Sequence, residues 1–366
     1  MSEPPVIPEN LQRGDLPDEE AASRASRIDD AINNFRERRA RRRGRRPTVI
    51  GYVGYGSTSW VRVLGRVLIA SESKLIKITE DRDDYQRIRG WRSFTSVPVE
   101  SARVTVEIAG RTTEVVADRG GVIDAKVDVR LSPGWHTVGL RTEDSDTVRA
   151  WVFIVDPEVR FGVVSDIDDT VMVTALPRPL LAAWNTFVLN EHARTPTPGI
   201  AVLYERISAA NPRSPVIYLS TGAWNVAPTL TRFLSRNLYP AGALLLTDWG
   251  PTRNRLFRSG PEHKRANLER LAEEFPQIRW LLIGDDGQHD EAIYADFARH
   301  HPDNVAAVCI RQLSPGEAVL AGSTGRAHGP DQTPGVRWFY ASDGAGLAEQ
   351  LVAADLMPAE SRQPEI

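Results

Sequence analysis

The second half of the chain alternates short apolar runs with amphipathic segments. From residue 159 onward each apolar run is uninterrupted, and the segments between the runs place apolar residues three and four positions apart. This pattern predicts an α/β domain with one parallel sheet whose two faces are covered by helices. The predicted strands are Phe161–Ser165, Val216–Ser220, Ala243–Thr247, Trp280–Gly284, Val305–Ile310 and 336–341. The predicted helices are Val226–Asn237, His263–Phe275, Asp290–His300 and 344–354.

Residues 48–156 instead alternate polar and apolar positions in short segments, as in 103–108, and glycine or proline separates the segments. Short strands at roughly ten-residue spacing predict a smaller β-sandwich-like domain. The Gly- and Tyr-rich part of residues 51–70 is expected to form a turn that packs against a single apolar strand. It lacks the GK[ST] signature of a phosphate-binding loop, which argues against nucleotide binding there.

The N-terminal region combines a polar, Pro-rich start with a basic segment. Residues 18–43 carry one narrow apolar stripe at helical spacing, and residues 36–46 hold eight arginines and one glutamate. Such a basic amphipathic helix either lies on an anionic membrane or docks its stripe on the body of the protein, and the second alternative is favoured. The expected domains are residues 1–47 (disordered start plus basic helix), 48–157 (β-sandwich-like domain), 158–355 (α/β domain) and 356–366 (frayed tail).

The composition narrows the class of protein without indicating its chemistry. The chain has 366 residues, of which 41% are hydrophobic and 25% charged, and a formal net charge of −3. That balance gives no reason to expect nucleic acid as a partner. No apolar stretch reaches the length of a membrane span and the first residues do not resemble a signal peptide, so a cytoplasmic location is expected. The single cysteine, Cys309, lies in an apolar run and is expected to be buried.

Two acidic clusters directly follow predicted strands of the α/β domain. They are DIDD at residues 166–169 and DDGQHD at residues 285–290. Ligands of open α/β sheets bind at the carboxyl ends of the strands. Carboxylates this close together repel one another unless a cation is present, and hard oxygen ligands suit Mg²⁺. Asp166 and Asp168 can point at one site, where one attacks and the other transfers protons.

Two further features fall at the same edge of the predicted sheet. Ser220-Thr221-Gly222 closes a strand, and its hydroxyl and backbone N–H groups are suited to a phosphate oxygen. Lys264, near the start of a helix, is one of only four lysines among 45 basic residues, and its compact ammonium suits a phosphoryl group or a carboxylate nucleophile. Singly, each feature is equally explained as a cap, a turn or a surface lysine. Their joint occurrence at strand ends favours a catalytic site.

Together these motifs resemble the four-motif set of the haloacid dehalogenase (HAD) superfamily of phosphotransferases. Longer strings are similar to the actin-patch-protein family of Mg²⁺-dependent phosphatidate phosphatases. These strings are SDIDDTVMVT (165–174), RTPTPGIAVLY (194–204), YLSTGAWN (218–225), HK (263–264) and LIGDDGQHDEAIY (282–294). The resemblance implies a HAD-like Rossmannoid fold with a minimal cap for the part of the chain that carries the motifs.

The resemblance also implies a role for each motif residue. Asp166 would be the nucleophile that forms an aspartyl-phosphate. Asp168 would protonate the leaving alkoxide and then activate the hydrolytic water. Ser220 and Lys264 would hold the oxygens of the transferring phosphoryl group.

Mg²⁺ is the cofactor that the resemblance implies. It would be bound by the Asp166 carboxylate, the Asp168 backbone carbonyl and Asp285. Asp290, together with Asp286, would lie around these ligands and bond to metal-bound water or to Lys264.

The segments between the motifs bear on the substrate. Residues 171–215 and 222–263 are too short to hold a full HAD cap, so the site is expected to be open, which suits a bulky or membrane-borne substrate. Thr221, Gly222, Arg178 and Arg194 are candidates for contact with the phosphate or the rest of the substrate.

Three functions are therefore compared. The favoured one is a Mg²⁺-dependent phosphatase that hydrolyses phosphatidate to diacylglycerol, peripheral at the inner face of the membrane if residues 18–46 bind anionic lipid. The alternative is the same chemistry on a soluble phosphomonoester or a phosphoprotein. A non-enzymatic scaffold is less favoured, because a decayed site would be expected to lose at least one of the motif residues.

Overall fold

A computed structural model describes residues 35, 37–40, 42–43, 45–69, 97–143, 145–173, 195–247, 260–287, 289–320, 333 and 335–359. The Pro-rich start, most of the predicted basic helix, Arg178, Arg194 and the last seven residues lie outside the described residues. The described residues between 35 and 42 are helical, and Ala40 is buried in the core of the N-terminal sheet. This is the contact expected of a helix that docks on the body of the protein.

In the described part of the N-terminal half, eight strands form one curled sheet. Its order is β3-β2-β1-β8-β7-β4-β5, with β6 also paired to β2, and every pair is antiparallel except β1 with β8. The strands are β1 (Pro47–Ser57), β2 (Trp60–Ile69), β3 (Val97–Pro98), β4 (Arg103–Ile108), β5 (Arg111–Val116), β6 (Val122–Asp128), β7 (Gly134–Arg141) and β8 (Val148–Ile154). The expectation of a sandwich is met only in part, because hydrogen bonds join all these strands in one sheet. A register shift in β1 between Tyr52 and Tyr55 is the kind of irregularity that bends a long strand.

The prediction of a turn in the Gly- and Tyr-rich segment is wrong, because residues 47–57 form strand β1. Its glycines permit close approach of neighbouring strands. A Cβ atom added to Gly54 would lie 2.3 Å from the carbonyl oxygen of Arg62 and 3.0 Å from Val152 Cγ1. Glycine is therefore used here for tight strand packing rather than for a turn.

The C-terminal half contains a six-stranded parallel sheet of order β13-β12-β9-β14-β15-β16. Its strands are β9 (Phe161–Ser165), β12 (Val216–Ala223), β13 (Ala243–Thr247), β14 (Arg279–Asp285), β15 (Val305–Arg311) and β16 (Trp338–Ala341). The chain leaves the central strand β9 towards one edge and returns on its other side at β14. The sheet order thus reverses at β9, which is where ligands bind in such folds.

Helices connect the parallel strands, and a small hairpin follows β9. The helices are α1 (Ile200–Ala210), α2 (Ala227–Arg236), α3 (Gly260–Glu274), α4 (Asp290–His300), α5 (Pro315–Leu320) and α6 (Gly344–Ala353), with 3-10 turns at Trp224–Val226 and Pro302–Asn304. The hairpin pairs β10 (Met172–Val173) with β11 (Thr195–Pro196). The predicted parallel strands and connecting helices are confirmed to within a few residues at each end. The division of the chain into domains stays a prediction.

The two sheets share a hydrophobic core. Tyr55, Trp60 and Leu64 from the first sheet belong to the same buried cluster as Phe275 and Trp280 from the second. Cys309 is fully buried in that cluster, as expected. Among the described residues, no helix has the length and apolar character needed to cross a membrane.

Replacing Gly54 by alanine should destabilise the protein, because the new methyl group would collide with backbone rather than with a movable side chain. The expected loss in the free energy of unfolding is about 1–3 kcal/mol or more. Gly316→Ala is the matched control, since nothing lies within 4 Å of the added Cβ there. Urea unfolding of both variants measures the difference, and an unchanged midpoint for Gly54→Ala would contradict the packing described for β1.

Candidate active site

Five structural elements bring the predicted catalytic residues to the carboxyl edge of the parallel sheet. Asp166 follows the last residue of β9, Ser220 lies in β12, and Asp285 ends β14. Lys264 lies in the first turns of α3, and Asp290 begins α4. All five side chains are buried, so the site lies below the protein surface at this edge of the sheet.

Lys264 links two of the carboxylates. Its Nζ donates to Asp166 Oδ1 at 2.6 Å and to Asp290 Oδ1 at 2.5 Å, and only 3% of the residue is exposed. Burial alone would lower the pKa of Lys264, but the two adjoining carboxylates raise it overall. The ammonium therefore stays charged at neutral pH and fixes the direction of both aspartates.

Asp168 is paired with Ser220. The Ser220 hydroxyl donates to Asp168 Oδ2 at 2.9 Å, and both residues are buried. Burial raises the pKa of Asp168 to about 6, although the hydrogen bond from Ser220 opposes the rise. A carboxyl group with a pKa near the ambient pH is suited to giving and taking protons in turn.

The Ser220-Thr221-Gly222 segment contains one internal hydrogen bond. The backbone N–H of Gly222 donates to Ser220 Oγ at 2.9 Å, so this N–H is already used and the expectation of a free donor there needs correcting. Thr221 packs on the start of α3, where a Cβ on Gly260 would lie 2.7 Å from Thr221 Cγ2. The strand that carries Ser220 and the helix that carries Lys264 are thus in direct contact.

The acidic residues at the centre fit a divalent cation. Ligand atoms of Asp166, Asp285 and Asp290 all lie within 4.8 Å of one another. In the described part of the chain, each of four aspartates has one buried oxygen without a hydrogen-bond partner: Asp166 Oδ2, Asp168 Oδ1, Asp285 Oδ2 and Asp290 Oδ2. Buried carboxylate oxygens without partners are costly, and hard oxygen donors are the ligands of Mg²⁺. The residues present therefore fit the cation that the sequence motifs imply.

The structure bears on the places of Asp290 and Asp286. Asp290 bonds Lys264, as the motifs imply, and one of its carboxylate oxygens also lies within 4.8 Å of ligand atoms of Asp166 and Asp285. Asp286 was expected beside it, but Asp286 Oδ1 accepts from the backbone N–H of Leu313 at 2.8 Å. The carboxylate of Asp286 therefore anchors the loop after β15. Arg178 and Arg194 lie outside the described residues.

Burial of the acidic cluster has a strong electrostatic effect. It raises the pKa of Asp166 well above its usual range, Lys264 opposes the rise, and the neighbouring carboxylates add to it. Burial likewise raises the pKa of Asp285, although Gly287 N–H donates to its Oδ1 at 2.7 Å. Without a cation, the folded protein therefore favours protonated carboxyl groups at this site.

Sequence reasoning did not single out Arg311, the last residue of β15. Its buried guanidinium donates through Nη1 to the Asp169 carbonyl at 2.7 Å and through Nη2 to Glu317 Oε1 at 2.7 Å. Asp169 has a φ of 61°, a left-handed conformation uncommon outside glycine, so Arg311 holds an unusual turn beside Asp168. The available signal was a charged residue ending an apolar strand at the same edge as the motifs.

Sequence reasoning also did not single out Gly284, where the site has no room for a side chain. A Cβ there would lie 2.6 Å from Asp290 Oδ2 and 2.8 Å from the ring of Tyr294. The absence of a side chain at position 284 is what lets the first turn of α4 approach the end of β14.

Comparisons with known proteins agree with this geometry. Residues 161–312 match the family model of the catalytic domain of phosphatidate phosphatase APP1. The chain is 26% identical over 183 residues to an uncharacterized protein of Schizosaccharomyces pombe, covering 47% of this chain and 29% of that protein. It is 23% identical over 154 residues to phosphatidate phosphatase APP1 of Saccharomyces cerevisiae, covering 42% of this chain and 26% of that protein. The chain thus spans less than a third of the length of these curated relatives.

A solved structure also resembles part of the chain. It is the HAD domain of the effector protein Lem4 from Legionella pneumophila, with 15% identity and a TM-score of 0.30 over 44% of this chain and 90% of that one. The family-model match places residues 161–312 in the class of phosphatase hydrolase domains. Within that class, the segment is similar to the catalytic domain of phosphatidate phosphatase APP1, and the resemblance derived from the motifs is confirmed.

The raised carboxyl pKa values predict a pH-dependent stability of the metal-free protein. A group whose pKa is higher in the folded state stabilises it at low pH, and this contribution is lost as pH rises through the folded pKa. For Asp168 the loss falls between its usual pKa of 3.8 and about 6, and for Asp166 and Asp285 it continues to higher pH. Thermal unfolding in EDTA should therefore show a melting temperature that falls as pH is raised above about 4.

Mg²⁺ should reverse this trend, because it stabilises the ionised carboxylates. At a hundred times its dissociation constant, a ligand of the folded state adds about 2.7 kcal/mol. We expect the gain in melting temperature on adding Mg²⁺ to be larger at pH 8 than at pH 5, and to be absent in Asp285→Asn. Equal gains at both pH values would contradict the account of the acidic cluster.

Proposed function

We propose that this protein is a Mg²⁺-dependent phosphatase of phosphomonoesters that acts through a covalent phosphate on Asp166. The observation that carries the proposal is the arrangement of Asp166, Lys264 and Asp290 in one buried cluster, with Asp168 and Ser220 paired beside it. The match of residues 161–312 to a phosphatase catalytic domain supports it independently.

In the first step, a carboxylate oxygen of Asp166 attacks the phosphorus atom of the substrate. The bond between phosphorus and the ester oxygen breaks, and its electron pair leaves on that oxygen. Asp168, protonated at this stage, gives its proton to the departing alkoxide, so the alcohol is released in neutral form. Lys264 already holds Asp166 Oδ1, and Oδ2 is the oxygen that has no hydrogen-bond partner.

In the second step, Asp168 is ionised and takes a proton from a water molecule. That water attacks the phosphorus atom of the aspartyl-phosphate, the bond to Asp166 breaks, and inorganic phosphate is released. The pKa of about 6 suits Asp168 to both stages, since it acts as an acid first and as a base afterwards.

The remaining residues of the cluster balance charge. Ser220 and Lys264 would donate hydrogen bonds to the equatorial oxygens of the phosphoryl group. Bound Mg²⁺, held by Asp166, the Asp168 backbone carbonyl and Asp285 with Asp290 beside them, would supply further positive charge to the same oxygens. Arg311 acts indirectly. It donates to the Asp169 carbonyl and so holds the turn that positions Asp168.

Phosphatidate is the substrate that we propose, with diacylglycerol and phosphate as products. The support is the similarity of residues 161–312 to the catalytic domain of phosphatidate phosphatase APP1 and of 154 residues to the yeast protein of that name. A soluble phosphomonoester or a phosphoprotein would be hydrolysed by the same chemistry. The choice between them therefore depends on a substrate comparison.

Substituting the two proposed catalytic aspartates should abolish turnover in folded protein. Asp168→Asn cannot donate or accept the proton, so a loss of about 10²–10⁴-fold in kcat is expected. Asp166→Asn lacks the nucleophile and should fall to background. Asp296→Asn, a partly exposed aspartate on α4 paired with Arg299, is the control and should keep full activity. Phosphate release by an Asp166→Asn protein with normal circular dichroism would refute the mechanism.

A substrate comparison tests the lipid assignment. Phosphate release is measured with Mg²⁺ on phosphatidate in mixed micelles and on a panel of soluble phosphomonoesters. We expect the highest kcat/KM on phosphatidate, and no release from any substrate by Asp166→Asn. Activity on a soluble ester with only background on phosphatidate would support the alternative substrate class.

We also propose that the basic N-terminal segment, residues 18–46, contacts an anionic membrane surface through its arginines while Ala40 stays docked on the N-terminal sheet. Its support is the run of eight arginines between residues 36 and 46, which anionic lipids attract. Deleting residues 1–46 should weaken binding to phosphatidylserine vesicles at low salt, and raising the salt should weaken binding of the full chain. Equal vesicle binding by both proteins would refute this role.

A further inference from the structure

The N-terminal sheet touches the segment that follows Ser220. Tyr52, in β1, stacks on Trp224 with ring centroids 5.2 Å apart and an interplanar angle of 17°. Its hydroxyl donates to the Trp224 carbonyl at 3.3 Å, and both residues are buried. Trp224 comes directly after β12, so this contact fixes the backbone four residues beyond Ser220.

The same sheet also reaches Lys264 through a chain of hydrogen bonds along α3. Asp124, in β6, accepts from Arg270 Nη1 at 2.7 Å, and Arg270 Nη2 donates to Asn267 Oδ1. Asn267 Nδ2 in turn donates to the backbone carbonyl of His263 at 2.8 Å. His263 precedes Lys264, so the chain ends at the peptide that joins the two residues.

A third contact holds the far end of α3. Glu274 accepts hydrogen bonds from Arg62, in β2, and from the Tyr55 hydroxyl at 2.9 Å. The side chains of Arg62 and Glu274 are only 12% and 7% exposed, so the pair is shielded from water. Next to it, Phe275 lies between Trp60 and Trp280, with ring centroids 5.5 Å and 6.2 Å away.

We propose that the N-terminal sheet is a positioning element of the active site, with Tyr52 and Asp124 as its positioning residues. It holds the two elements that would bind phosphate, the end of strand β12 with Ser220 and the helix of Lys264, while the ends of β9 and β14 place the acidic residues. The inference rests on the proposed function, because it assigns those two residues to the phosphoryl group.

A small shift of α3 would move Lys264, whose Nζ bonds Asp166 and Asp290. Arg270 and Lys264 are six residues apart on one helix, or about 9 Å along its axis. A helix transmits a shift at one end to the other nearly undiminished. Misplacing a catalytic group by about 1 Å can cost up to 10²-fold in rate.

The test compares three variants with two controls of matched chemistry. Asp124→Asn removes the charge that holds Arg270, Asn267→Ala breaks the chain in the middle, and Tyr52→Leu removes the stacked ring. Glu114→Gln changes an exposed charge on β5, and Trp151→Leu removes an exposed ring on β8. All five are measured at saturating Mg²⁺ and scaled to the folded fraction from denaturant titration.

Two readouts separate positioning from stability. We expect kcat on a soluble phosphomonoester to fall about tenfold in each of the three variants. The inhibition constant for inorganic phosphate should rise about fivefold in the same variants. Neither constant should change in the two controls. The double variant Asp124→Asn/Asn267→Ala should lose no more than the worse single variant, because both break one chain. Additive losses, or normal constants in the folded variants, would overturn the inference.

Calorimetry with Mg²⁺ measures the affinity for inorganic phosphate without any turnover. This measurement tests the positioning role separately from the proposed function. If the wild-type protein binds phosphate but shows no turnover that depends on Asp166, the proposed function fails. The phosphate affinity of the variants then still decides the positioning role. A wild-type protein that neither binds nor releases phosphate would overturn both.

Discussion

The site depends on one electrostatic constraint, namely that four buried aspartates must be kept together at the ends of two parallel strands, β9 and β14. A single ammonium, that of Lys264, neutralises part of this charge by bonding Asp166 and Asp290. Burial is the main cause of the raised pKa values of Asp166 and Asp285, and repulsion between the neighbouring carboxylates adds to the rise. Protons or a divalent cation must supply the rest, so stability and metal binding at this site are thermodynamically linked.

The parallel sheet and the identity of the main site residues could be predicted from the sequence, and for a physical reason. Buried parallel strands are continuous apolar runs, and the residues that follow them share one edge by construction. The proximity of Asp166, Ser220 and Asp285 could therefore be predicted from the sequence, because each lies at or directly after the end of a predicted strand. Lys264 stood out because lysine is scarce among the basic residues.

The remaining features depend on contacts between segments that are distant in the sequence. The glycines of β1 led to the prediction of a turn, because local propensity does not show that a neighbouring strand packs closely against each of them. Asp286 looked equivalent to Asp290, and only the path of the loop after β15 separates them. Arg311 and Tyr52 gave little sign of their roles, since each acts through a backbone carbonyl more than a hundred positions away.

The central position of β9 also has a consequence for how the protein is made. The strand is flanked by β12 and β14, so Asp166 acquires its neighbours on both sides only when the chain has been synthesised to Asp285. Pairings between strands so far apart in the sequence form slowly, and until then β9 offers an open, apolar edge. A nascent chain that stalls before β14 would expose the strand that precedes Asp166, so a chaperone that covers this edge would protect the chain at this stage of synthesis.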